Sequence, residues 1–73
     1  MRWAYDRITR LDAIIERHLL MLKFLRSERL DTPRDARGEL DRRIAYTEKR
    51  LAWFRSVARV MRQNAKRAEM ATA

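Results

Sequence analysis

Apolar side chains recur along this chain at alternating spacings of four and three residues. Ala4, Ile8, Leu11, Ile15, His18, Leu22 and Leu25 form the first series, with His18 as its polar member. Such a series is the a/d seam of a heptad repeat and calls for a helix, because a half-buried strand alternates every second residue. Neither glycine nor proline interrupts residues 1–30. A second series follows without a break: Leu40, Ile44, Thr47, Leu51, Phe54, Ala58, Met61, Ala65 and Ala68. Gly38 alone weakens that second helix, near its start, by about 1 kcal/mol relative to alanine.

Asp31-Thr32-Pro33-Arg34-Asp35 separates the two series. Thr32 has the chemistry of an N-cap, Pro33 suits the first helical position, and Asp35 falls where the helix dipole favours an acid. The pattern predicts one domain over residues 1–73. A first helix runs over about 2–30, a turn over 31–33, and a second helix over about 33–70. A connection this short makes the helices antiparallel neighbours. The alternative is a longer loop through Gly38, with the second helix starting at Glu39. Either way the fold class is all-α, an antiparallel two-helix hairpin.

A two-stranded coiled coil needs only positions a and d to be apolar. Here Ile14 and Met21 occupy g in the first helix, Leu19 occupies e, and Leu20 and Phe24 lie further round. In the second helix Val57 occupies g, while Tyr46, Trp53 and Val60 line c. A helix with two neighbours calls for such a wide face, as in a four-helix bundle. A lone hairpin leaves Leu20, Phe24, Tyr46, Trp53 and Val60 in water, a large patch for a small protein. The expectation is a homodimer, with these residues and Val57 as the oligomer or protein-partner interface. His18, at a d position, is set opposite Leu51 and one layer from Thr47. It reads as an imidazole bonded locally, to Thr47 or to a backbone carbonyl.

Charge adds a second candidate surface. Eighteen basic against ten acidic residues give a net charge of +8. A field of that sign attracts nucleic acid, an anionic membrane surface or an acidic protein patch. Only three of the cations are lysines, a bias that genome composition explains as well as function does, but the net excess has no such explanation. From Lys49 to Arg67 there are seven cations and no acid. Arg55, Arg59, Arg62 and Lys66 repeat at four, three and four residues, forming one ridge on the e/b side. Like charges four residues apart cost a helix about 0.2–0.5 kcal/mol per pair. Elsewhere the chain places favourable pairs, Asp6/Arg10 and Glu39/Arg43. A local rule broken in one stretch points to function there. The antiparallel turn brings Arg2, Arg7 and Arg10, with Trp3 and Tyr5, to the same end as Arg67. Arginine beside aromatics suits phosphate and base contact.

Catalysis is not expected. The chain has no cysteine and one histidine, no glycine-rich phosphate loop, no HExxH and no Ser/His/Asp set. Glu16 and His18 lack the Glu-x-x-His spacing of a di-iron bundle, so neither a metal nor another cofactor is expected. No apolar run reaches the roughly 18 residues of a membrane span, and the N-terminus lacks the apolar core of a secretory signal. The chain reads as a cytoplasmic protein of the kind phages and plasmids encode. The leading expectation is a small regulator contacting nucleic acid through Arg2, Arg7, Arg10, Arg55, Arg59, Arg62, Lys66 and Arg67. The alternative is an inhibitor or adaptor that docks on a host protein through Leu20, Phe24, Tyr46, Trp53, Val57 or Val60, with an arginine rim. Membrane contact ranks third, because a second hairpin uses the broad apolar face better.

Overall fold

A computed structural model describes residues 2–72, and the side chains of residues 5–71. Two helices pack as an antiparallel hairpin: α1 (Arg2–Asp31) and α2 (Gly38–Thr72), joined through a single 3-10 turn (Arg34–Ala36). The seams read from the sequence are the contact between them. Ile8, Leu22, Leu25, Leu40, Thr47, Leu51, Ala58 and Ala65 are buried. Every other described member of either seam is half-buried. The buried Thr47 hydroxyl donates to the Arg43 carbonyl at 2.8 Å, so it brings no unsatisfied polar atom into the seam.

The connection differs from the short turn the sequence favoured. Helix α2 starts at Gly38, not at Pro33, close to the longer-loop alternative. The cause is where Thr32 spends its hydroxyl. It donates to the Glu28 carbonyl at 2.7 Å, which turns the side chain back onto the end of α1. Pro33 (φ −56, ψ 146) is extended, and the chain then makes one tight turn, with the Ala36 N–H donating to the Pro33 carbonyl at 2.9 Å. Arg37 takes the capping position. Its carbonyl accepts the Asp41 N–H at 2.8 Å, and its guanidinium Nε donates back to the Thr32 carbonyl at 2.8 Å. One residue thus opens α2 and satisfies the carbonyl of Thr32, just past the end of α1.

The ion pairs Arg26–Glu48 and Asp12–Arg62 place α1 against residues a little later along α2 than the seam spacing suggested. His18 packs against Phe54, with ring centroids 5.3 Å apart, and not opposite Leu51 as the sequence suggested. Its Nδ1 lies 2.8 Å from the Ile14 carbonyl. A carbonyl only accepts, so Nδ1 carries the proton there.

The hairpin is a rod of 59 × 14 × 13 Å with a radius of gyration of 17.0 Å, whereas a compact chain of this length has about 11 Å. It exposes 6230 Å², against about 4,800 Å² for a globular protein of this mass. No helix among the described residues is long and apolar enough to cross a membrane.

Candidate functional site

In an antiparallel helix pair, e positions face e positions along one flank, and g positions face g positions along the other. On the e flank, Arg62 of α2 bonds to Asp12 of α1, and Arg26 of α1 bonds to Glu48 of α2 at 2.9 Å. Arg29 near the end of α1 meets Asp41 in the first turn of α2 at 2.6 Å. Each charge there also suits the dipole of its own helix end. All these side chains are 41–60% exposed, so each pair adds about 0–1 kcal/mol. Their main effect is to fix register.

Arg55, Arg59, Arg62 and Lys66 lie on this e/b side of α2, as the sequence spacing requires. Arg55 lines a shallow hollow with Leu19, Leu22, Arg26, Glu48 and Leu51. Arg62 is engaged by Asp12. Among the described residues Arg55, Arg59 and Lys66 have no acidic partner. Of the two favourable i,i+4 pairs, Glu39–Arg43 closes at 3.4 Å, while Asp6 and Arg10 form no ion pair.

The g flank has a different composition. Hollows open along it, two of them side by side and sharing Tyr46 and Arg50. Arg7, Arg10, Leu11, Ile14, Val57 and Met61 line the one nearest the chain ends. Arg17, His18, Met21, Tyr46, Thr47 and Arg50 line one of the adjoining two. Tyr46, Lys49, Arg50, Trp53 and Phe54 line the other. Phe24 and Val60, one heptad beyond Arg17 and Trp53, extend the same face. Phe24 is 64% exposed, and Tyr46 and Trp53 are each 61% exposed. Trp53 meets Phe54 edge-on at 5.0 Å. Arg50 lies over both the Tyr46 and Phe54 rings at 5.6 Å and donates to the Tyr46 hydroxyl at 3.0 Å. Those contacts hold Arg50, in the middle of the stripe, against an aromatic surface. Leu20, at f, sits on the back of α1 and only borders the stripe.

The residues grouped at one basic end therefore fall on two surfaces. Arg7 and Arg10, at g and c, line the apolar flank, as does Arg67 at c, whereas the Arg55–Lys66 ridge lies on the other side. Heptad position alone carries this distinction, because a residue at g cannot share a flank with one at e in an antiparallel pair. Arg2 and Trp3 are helical in backbone, and their side chains lie outside the described residues. Tyr5, at e, is exposed. Among the described residues, no three His, Asp or Glu side chains converge as metal ligands would.

No protein-family model matches the chain, and no similar curated protein or solved structure was found.

Proposed function

We propose that this chain is a non-catalytic binding protein whose hairpin self-associates along its g flank into a four-helix bundle. It presents the Arg55, Arg59, Arg62 and Lys66 ridge to the phosphates of a nucleic acid. The observation that carries the reading is the segregation of the two surfaces. The aromatic stripe and the cation ridge occupy opposite flanks, so covering the first leaves the second accessible, and among the described residues three of the ridge's four cations have no acidic partner. A straight helix ridge with no loop or β-ribbon beside it suits contact with phosphate and groove shape more than with base edges. Binding of that kind releases counterions and weakens steeply with salt.

Fluorescence anisotropy of labelled duplex DNA and duplex RNA tests this. The expected result is micromolar binding at about 50 mM salt that falls at least tenfold by about 200 mM. Arg55→Glu combined with Arg59→Glu abolishes it while leaving the helical circular dichroism intact. Absence of binding at the lower salt contradicts the reading.

A second reading has its own support. Tryptophan, tyrosine and arginine are the residue types that dominate protein-binding hot spots, and Tyr46, Arg50 and Trp53 adjoin on the g flank. In that case the stripe docks on a different protein, and the complex persists at high salt.

A further inference from the structure

The charges of the g flank are sorted along its length. Towards the chain ends it carries Arg7, Arg10 and Arg67 at g and c, and no acid. Towards the connection it carries Glu28, one heptad after Met21, then Asp31, one heptad after Phe24, and Glu39, one heptad before Tyr46. Arg43 is the one cation on that part of the flank, and Glu39 holds it. The apolar side chains Ile14, Met21, Phe24, Tyr46, Trp53, Val57 and Val60 fill the middle, with Arg17 and Arg50 between them.

We infer that the occupant of this flank is a second copy of the chain docked antiparallel, with the connection of each hairpin beside the chain ends of the other. This rests on the self-association proposed above and adds its direction and register. A twofold axis near Trp53 lays the arginines of one copy on the acids of the other. Arg7 and Arg10 face Glu28 and Asp31 of the second copy, and Arg67 faces its Asp31 and Glu39. The same operation sets Tyr46 against Val60, Ile14 against Phe24, and Trp53 against itself. Parallel docking of the same flanks stacks arginine on arginine at one end and acid on acid at the other, which is destabilising.

The chain has no cysteine, so one spin label at Arg34→Cys, in the exposed connection, reports on a single site. In the antiparallel dimer the two labels sit at opposite ends of the rod, about 50 Å apart at 1.5 Å per residue. In a parallel dimer they sit within roughly 20 Å, two helix diameters. A distance near 50 Å supports the inference. A short distance overturns it while leaving self-association standing. A monomer with no dipolar signal overturns both. Charge exchange gives an independent check without a label. Arg10→Glu weakens the dimer about tenfold, since the symmetry removes two pairs, and adding Glu28→Arg restores it. Failure of the second substitution to rescue the first overturns the antiparallel register.

Discussion

Ala58 is the tightest position in the molecule, 1% exposed where the two helices approach. Its small size lets Phe54 and Met61, the seam residues on either side, occupy the remaining width. A leucine at Ala58 therefore has no space to enter without parting the helices. Ala58→Leu destabilises the fold by about 1–3 kcal/mol, read as a lower urea midpoint. Ala45→Leu, on an exposed face of the same helix, stays within about 0.5 kcal/mol. Equal losses at both sites would mean that the helices are not in close contact at Ala58. This burial was legible in the sequence, since Ala58 falls on the four–three spacing. The role of Thr32 was not. Its side chain suits an N-cap in one conformation and, in another, a bond back to the carbonyl four residues earlier. Only the backbone direction at Pro33 decides between them.

Each helix is specified by its seam more than by its ends. The periodicity gives α1 to within a residue of its observed end and sets the face of α2 throughout, but the start of α2 depends on a competition within six residues. Thr32-Pro33 and Arg37-Gly38 both offer a way to open a helix, and the second is used because the Arg37 guanidinium also reaches the end of α1. Gly38 then sits at the first helical position with an ordinary negative φ. A Cβ added there meets only the flexible end of Arg42, at 3.9 Å. Nothing in the fold requires glycine at this point. Gly38→Ala is expected to stabilise the hairpin by about 0.4–1 kcal/mol, chiefly by restricting the unfolded chain, and to raise the thermal midpoint. A lower midpoint would show that the connection needs a conformation alanine resists. The division of the arginines between flanks is an element-scale property too. It follows from heptad letters already assigned to the seam, yet grouping by end of the rod hides it, because an end has two sides.

At the scale of the whole molecule, two helices with one shared seam leave a broad apolar face exposed. The rod is 59 Å long and 14 Å wide, and several of its largest apolar side chains, Phe24, Tyr46 and Trp53 among them, stay more than half exposed. The sequence made this visible through apolar residues at g and c, beyond what a two-helix seam uses. The periodicity of one chain does not specify a partner for them. The account's central claim is that the g flank is a protein interface and that the hairpin is completed by a second copy. Sedimentation equilibrium of the purified chain at high salt, where phosphate-type contacts are screened, tests it most directly. The account predicts twice the 8.9 kDa chain mass, reduced to the single-chain mass by Trp53→Glu. A wild-type chain that sediments at 8.9 kDa while unfolding cooperatively, at a midpoint independent of its concentration, would contradict it.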